Sequence, residues 1–513
     1  MVYKGPNERS VERVVRVQGL AAGAPVGVLG AGAMGSGIAQ VAAASGHPVL
    51  LLDVDAARAR EAVTAVLAGL QTSVDKGRVD QAVHDAAATA VRACTDVADL
   101  ADCGLVLEVV VEQVDVKREL LRQVERAVGP GCLITTNTSS LSIDAIAASL
   151  EEPARLVGMH FFNPAPVMRL VEVVSGLRTA PELAGQVEAT ALAWGKRTVR
   201  CASTPGFVVN RVARPYYSEA LAVVAETGLE PAVLDQLYRE AGGFRMGPLE
   251  VTDLIGHDVN YAVTESVWRA LDLDARYRPS GLQRRLVEAG WLGRKTGRGF
   301  YDHGSPAPVP PRALPAAATG TVHVGPTSPL LPLLDRTSCE LDEDPELGEW
   351  VRLPSGALVG LTEGELAAQA AVTAGHDVVL LDLALDWSAT TRVGASASSP
   401  ASLDELAAVL AGAHVAVTPL PDVPGLLLAR TVALLVDEAV DLASRQRMAP
   451  ADLDAAVRDG LNYPLGPLAW GDRVGAAWVV RLLDQLERLQ PGGRFRVSTP
   501  LRLAAVQGRH LST

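Results

Sequence analysis

No apolar run in the sequence approaches the roughly 20 residues that a membrane-crossing helix needs, so a spanning protein is not expected. Cysteine is scarce. Cys94, Cys103, Cys132, Cys201 and Cys339 form no CxxC and no other metal-type spacing, which fits reduced thiols in a cytoplasmic protein and gives no metal site. Aromatic residues are only 4% of the chain, and 46 Lys and Arg face 59 Asp and Glu, for a net charge of −13. That balance excludes the basic footprint of a nucleic-acid or anionic-membrane partner and leaves small molecules, with room for a local basic pocket for a phosphorylated ligand. The first 24 residues carry Lys, Glu and Arg without a signal-peptide core and read as a disordered extension.

What is present is enough apolar material, 48% of 513 residues, for several domains. From residue 25 to about 200, short apolar runs ("PVGVLG", "PVLLLD", "GLVLEVVVE", "CLITTNTS", "RLVGMHFF", "LVEVV") alternate with alanine-rich helical stretches. Runs apolar on both faces predict a parallel sheet covered by helices. From 205 to 302 the pattern is helical. "SPAPVPPRALPAAATG" then reads as a linker, and 323–420 returns to alternation ("TVHVG", "ALVGL", "DVVLLDLAL", "TTRVGAS", "HVAVTPL") with no glycine fingerprint. The last 90 or so residues are helical and repeat the first helical segment: "TPGFVVNRVARPYYSEAL" (204–221) matches "VPGLLLARTVALLVDEAV" (423–440), and "GPLEVTDLIG" (247–256) matches "GPLAWGDRVG" (466–475). Gly206 to Gly247 and Gly425 to Gly466 share one spacing, while Asn210 becomes Ala429. A copy that drops the amide reads as kept for packing, and the copy that retains it as kept for use.

Gly30, Gly32 and Gly35, with Ala33 and Met34 between the last two, form GxGxxG after one apolar run and before a helix. The first glycine permits the tight turn, the second lets backbone approach a pyrophosphate, and the third lets helix pack on sheet. Phosphates would sit on the helix N-terminus. Asp53, at the end of the next run, can accept hydrogen bonds from ribose hydroxyls and would repel a 2′-phosphate, which favours NAD over NADP. In "RLVGMHFFNPAPVMRLVEVV", His160 and Glu172 lie in apolar runs joined by a Pro-containing loop that can return the chain beside itself. An ionised glutamate inside "LVEVV" needs a partner, and the histidine twelve residues upstream is the nearest. A carboxylate on one ring nitrogen makes the other a better base, although a His and a Glu at this spacing can also be unrelated. The hydroxyls of "NTSS" (137–140) follow a strand, where they either meet a ligand or cap the next helix.

In order along residues 25–302, "GAGAMGSGIAQVAAASGH", "EVVVEQVDVKREL", "NTSSLSI", "GMHFFNPAPVMRLVEVV", "TPGFVVNR" and "GRKTGRGFY" resemble the L-3-hydroxyacyl-CoA dehydrogenase family. The resemblance implies that His160 is the general base, that Glu172 orients it, and that Ser139 and Asn210 hold the substrate oxygen. It also implies NAD contacts from Glu112, Lys117, Asn163 and Lys295, beside Asp53 and the glycine turn. Lys76, in "DKGR", matches the lysine that meets CoA, but the serine that accompanies it in some members is replaced by Gly69. With His160 and Asn210 on different segments, the reaction centre is expected between them.

The repeat with an intervening fingerprint-free unit resembles the long bacterial form of the family. Its members act on 3-hydroxyadipyl-CoA, in phenylacetate catabolism, or on 3-hydroxybutyryl-CoA. The implied fold class is an α/β Rossmann NAD-binding domain plus two all-α dehydrogenase C-terminal domains with a reduced Rossmann-like α/β unit between them. The expected segments are an extension (1–24), the NAD-binding domain (25–204), the first helical domain (205–302), the linker (303–322), the reduced unit (323–420) and the second helical domain (421–513). The expected activity is NAD-dependent oxidation of 3-hydroxyadipyl-CoA, with 3-hydroxybutyryl-CoA as the alternative substrate and a non-catalytic NAD-binding sensor as the remote one. The second helical copy would stand in for a partner's domain, and a homodimer of whole chains is expected.

Overall fold

The computed structural model describes residues 17–306, 308–310, 312 and 314–513, and the chain divides into two compact units, 1–203 and 204–513. The start of the expected extension, residues 1–16, lies outside the described residues. Residues 17–24 are not loose. The Leu20 N–H donates to the Thr190 hydroxyl at 2.8 Å, and Gly19 sits so close to the backbone of Ala189 and Thr190 that a Cβ would clash.

The first unit is an eight-stranded sheet built from β1 (Val26–Leu29), β2 (Val49–Leu52), β3 (Val91–Cys94), β4 (Leu105–Glu108), β5 (Leu133–Thr136), β6 (Leu156–Phe161), β7 (Leu170–Ser175) and β8 (Arg197–Ala202). Their order is β3-β2-β1-β4-β5-β6-β7-β8. β1, β2, β4 and β5 are buried at every position because helices cover both faces, which is why they read as mainly apolar runs and why Glu108 in β4 needs partners. The order turns back at β1, whose neighbours are β2 on one side and β4 on the other, and this opens the ligand crevice of such sheets at the strands' C-terminal ends. One departure from the expected parallel sheet matters for chemistry: β6 and β7 pair antiparallel, with β8 parallel to β7.

The second unit holds a seven-stranded mixed sheet, of β9 (Thr321–Val324), β10 (Glu340–Glu343), β11 (Val351–Arg352), β12 (Leu358–Leu361), β13 (Val378–Leu381), β14 (Arg392–Ala397) and β15 (Ala416–Pro419), in the order β10-β9-β11-β12-β13-β14-β15. Its core is aliphatic, formed by residues such as Val322, Val359, Leu381, Val393 and Leu410.

The remainder of this unit is two helical copies. Matched positions carry matched devices. Gly206 and Gly425 have φ of +73° and +68°, each followed by a non-glycine residue in the same region, Phe207 (+48°) and Leu426 (+51°). Asp235 accepts the N–H groups of Leu249 and Glu250, and Asp454 accepts those of Leu468 and Ala469. The copies pair reciprocally: Arg211 binds Glu438 at 2.5 Å, and its counterpart Arg430 binds Glu219, the counterpart of Glu438, at 2.8 Å. This is the crossed pattern of an isologous two-fold interface, made inside one chain. Aromatics are few in the chain but gather here, with Tyr216, Tyr238, Phe244, Tyr463 and Trp470 in successive ring contact. The copies differ at Pro215, which has no N–H to continue a helix and splits the first copy into Val209–Val212 and Arg214–Thr227. The second copy, with Leu434 there, runs unbroken as Leu428–Gln446. Among the described residues all five cysteines are free, and no helix is long and apolar enough to cross a membrane.

Candidate active site

The turn after β1 shows why its three glycines are there. Gly30 adopts φ +107°, and a Cβ on it would sit 2.6 Å from the Val109 carbonyl oxygen. On Gly35 a Cβ would lie 1.8 Å from the Gly30 oxygen, so only glycine lets the helix Ala33–Ala44 pack this close. A Cβ on Gly32 would meet nothing within 4 Å, and no side chain caps the helix that starts there. The chain therefore leaves a cradle beside backbone N–H groups that suits a pyrophosphate, which is the fit an NAD-type dinucleotide requires. Ala33 and Met34 form the first helical turn of this cradle. Asp53 accepts the Ala31 N–H at 2.8 Å and the Asp55 N–H at 3.1 Å, so the acid that would face the ribose also fixes the glycine turn. The Arg58 guanidinium stands 4.0 Å from it.

Beside the cradle, at the end of β4, lies an ionic cluster. Lys117 is fully buried and donates to Glu108 at 2.7 Å and to the Val110 carbonyl at 3.3 Å, with Glu112 at 3.3 Å. Its ammonium is thus spent on protein groups. Glu112 in turn accepts the Thr138 hydroxyl at 2.7 Å, the Ser139 and Ser140 N–H groups at 2.9 and 3.0 Å, and the Ser140 hydroxyl at 2.9 Å. Burial pushes this carboxyl up, but Lys117 and the serine and threonine donors outweigh it and hold Glu112 below the usual carboxylate range. Ser139 is held where β5 ends, with its own hydroxyl 3.4 Å from Glu112.

His160 and Glu172 are register partners across β6 and β7. Directly opposite residues of an antiparallel pair place their side chains on one face, and His160 Nδ1 meets Glu172 Oε2 at 2.6 Å. Glu172 is wholly inaccessible and His160 nearly so, with Phe162 against the imidazole at 4.7 Å between centroids. Nδ1 is engaged by the acid, which fixes the orientation of the ring.

Two residues that support this geometry escaped the sequence reading. Asn137 accepts the Phe161 N–H at 2.7 Å and so ties the end of β5 to the residue after His160. Glu108, an acid inside "GLVLEVVVE", carries the same signal as Glu172 and anchors Lys117 and the Thr136 hydroxyl (2.6 Å).

Of the other expected site residues, Asn163 is exposed on the β6–β7 loop, and Lys76 is exposed at the C-cap of the helix Ala56–Asp75. A Cβ on Gly69 would lie 2.3 Å from the Gln40 amide oxygen, so a serine there would require that flexible side chain to move. In the second unit, Asn210 sits in the short helix Val209–Val212, and Lys295 pairs with Asp258 at 2.5 Å.

Comparison with known proteins agrees along most of the chain. Residues 25–204 match the family described as 3-hydroxyacyl-CoA dehydrogenase, NAD binding domain, and residues 206–303 and 425–510 both match 3-hydroxyacyl-CoA dehydrogenase, C-terminal domain. Residues 359–424 match the 3-hydroxybutyryl-CoA dehydrogenase reduced Rossmann-fold domain. The chain is 41% identical over 483 residues to 3-hydroxyadipyl-CoA dehydrogenase of Escherichia coli K12, covering 94% of this chain and 97% of that one. It is 38% identical over 287 residues to 3-hydroxybutyryl-CoA dehydrogenase of Bradyrhizobium diazoefficiens, covering 56% and 98%. Among solved structures, that of 3-hydroxybutyryl-CoA dehydrogenase from Escherichia coli K12 superposes with a TM-score of 0.85 at 39% identity, over 95% of this chain and 99% of that one.

Proposed function

The chain belongs to the 3-hydroxyacyl-CoA dehydrogenase family, and from that premise we propose that its substrate is 3-hydroxyadipyl-CoA, oxidised at C3 to the 3-oxoacyl-CoA. Oxidation of a 3-hydroxyacyl-CoA with NAD follows from the family itself. NAD bound on the glycine cradle supplies the acceptor for the hydride that leaves C3. The chain's own residues must then remove the hydroxyl proton, steady the oxygen and hold the acyl-CoA in place. His160 Nε2 takes the proton as the C–O bond becomes a carbonyl, and Glu172 balances the imidazolium that results. Read in reverse, that imidazolium returns the proton to the reduced oxygen. Ser139 and Asn210 are the proposed donors to the substrate oxygen. Glu112, steered by Lys117, together with Asp53, Asn163 and Lys295, is proposed to hold the cofactor, and Lys76 the CoA.

The observation that carries the reading is the 2.6 Å contact between His160 and a wholly buried Glu172, on the sheet that also bears the glycine turn. His160→Gln tests it. NADH formation should fall by at least about 100-fold, the usual contribution of general-base catalysis, and unchanged turnover would remove His160 as the base and with it the mechanism drawn here. The choice of substrate rests on the relative matched over almost its whole length. A panel of acyl-CoA substrates decides it: activity on 3-hydroxybutyryl-CoA far above 3-hydroxyadipyl-CoA would reverse the order. A cytoplasmic location and a dimer of whole chains belong to the same proposal. Because the surface that pairs the two helical copies is already occupied inside the chain, such a dimer would use another face.

A further inference from the structure

A dicarboxylic acyl chain carries a second charge, and a protein that encloses it must supply a cation or donors to receive it. Among the described residues five arginines are less than a tenth exposed: Arg211, Arg214, Arg276, Arg392 and Arg430. Four of them are neutralised by acids, Arg211 by Glu438 and Asp441, Arg276 by Asp437 and Glu438, Arg392 by Glu240, and Arg430 by Glu219. Arg214 is the exception. Its Nε donates to the Asn210 carbonyl at 2.7 Å, one terminal nitrogen donates to the Thr264 hydroxyl at 2.9 Å, and its guanidinium lies 5.0 Å over the Tyr217 ring. Every one of these partners is neutral. Burial works against its charge, and only the neighbouring tyrosine hydroxyls act the other way.

A second group in the same cluster is also unsatisfied. The Tyr463 hydroxyl is buried and has no hydrogen-bond partner among the described residues, and Arg214 is one of the charges acting on it. Its ring packs at 5.3 Å from Tyr216, which in turn lies 5.4 Å from Tyr217, the ring beneath Arg214. A buried guanidinium without an acid, in one ring cluster with a buried hydroxyl without an acceptor, is the donor set for a carboxylate that the chain does not itself contain.

The internal repeat separates function from packing here. The second copy keeps the structural partners, with Arg430 for Arg211 and Glu438 for Glu219. It replaces Asn210 by Ala429, Arg214 by Ala433 and Thr264 by Leu483. Arg214 is thus lost together with Asn210, not retained with the packing residues.

We propose that Arg214, with the Tyr463 hydroxyl, receives the distal carboxylate of a dicarboxylic 3-hydroxyacyl-CoA and selects it over a chain of equal length ending in methyl. This rests on the reading above in which Asn210 holds the oxygen at C3. The placement fits: although the two residues lie on successive helices, Arg214 Nε reaches the Asn210 carbonyl at 2.7 Å, which sets the guanidinium beside Asn210. Three bonds of extended chain carry the terminal carboxyl carbon of an adipyl group about 4 Å beyond C3. A hydrogen bond of about 2.8 Å then reaches from that carboxylate to a guanidinium nitrogen.

The test compares kcat/KM for 3-hydroxyadipyl-CoA and 3-hydroxyhexanoyl-CoA in the full-length enzyme and in Arg214→Met, Arg214→Lys and Tyr463→Phe. Arg214→Met should lower the dicarboxylate value about 100-fold and leave the hexanoyl value unchanged or higher, since removing one member of a buried charged pair acts only where the other is present. Arg214→Lys should restore part of the loss, and Tyr463→Phe should cost about tenfold on the dicarboxylate alone. A parallel fall on both substrates, or an unchanged ratio, would overturn the assignment. If Arg214→Met does not fold, Tyr463→Phe decides. A wild-type enzyme without preference for the adipyl chain would remove the proposed substrate and this inference together. A preference that persists in the variants removes only the inference.

Discussion

Glu172→Gln preserves the shape of the side chain opposite His160 while removing its charge, so it separates orientation from packing. The amide cannot stabilise an imidazolium, and kcat should fall about 100-fold or more with little change in KM, as steady-state NADH formation would show. Lys117 offers the complementary case of stability. Lys117→Met would leave Glu108 and Glu112 without their shared cation, and unpairing a buried charge costs about 3–5 kcal/mol, readable as a shift in the urea midpoint. The two acids differ in how visible they are beforehand. Glu172 stands out because a histidine runs near it in sequence. Glu108 carries the same anomaly, an acid in an apolar run, but its partner follows on a helix that nothing marks as adjacent. Asn137 is invisible without coordinates, because its role is to accept a backbone N–H of β6, and that pairing exists only once β5 and β6 lie together.

Strands show a similar division between what pattern reveals and what it hides. The central strands of the first sheet are legible because both their faces are buried. β3 and β8 are not, and these are the strands at the sheet's two edges, where exposed positions such as Arg92, Arg197 and Arg200 interrupt the apolar signal. β10, with the sequence "ELDE", is likewise an edge strand, and β11 has only two residues. Just past β13, Asp382 joins two elements. It accepts the N–H groups of Leu428 and Ala429 at 2.8 and 2.9 Å, of Leu427 at 3.2 Å and of Leu383 at 2.9 Å, and so caps the helix Leu428–Gln446 from the sheet. Burial pushes its carboxyl up to about 6, although those four N–H donors pull the other way. The folded state therefore holds a proton that the unfolded chain, with a carboxyl near 3.9, releases earlier. Linkage then makes this group's contribution to stability fall as pH rises from about 4 to about 6, by up to about 1.4 kcal/mol per pH unit. Asp382→Asn should flatten that slope. Urea unfolding of both proteins at pH 4.5 and 6.5 measures it, and equal slopes would refute the protonation.

At the scale of the molecule, the repeat is readable from spacing alone, whereas the pairing of its copies is not, because periodicity does not show which faces meet. The coordinates supply that face through a crossed relation: Arg211 meets Glu438, Arg430 meets Glu219, and the members of each pair are repeats of the other's. Such an interface is self-complementary by construction, so a chain holding only the first copy should find in a second molecule what it has lost. A chain ending at residue 303 exposes Arg211 and Glu219 together with the rings of Tyr216, Tyr238 and Phe244, which meet Tyr463 and Trp470 in the full chain. Two such chains related by a two-fold axis would set each Arg211 against the other's Glu219 and close without leaving an open end. Sedimentation at micromolar concentration should show twice the chain mass for the shortened protein. Replacing Glu219 by Arg in it should return the mass to that of one chain or abolish folding, since like charges would then face each other in a buried setting. A shortened chain that stays folded and monomeric would mean that the second copy does more than cover this face.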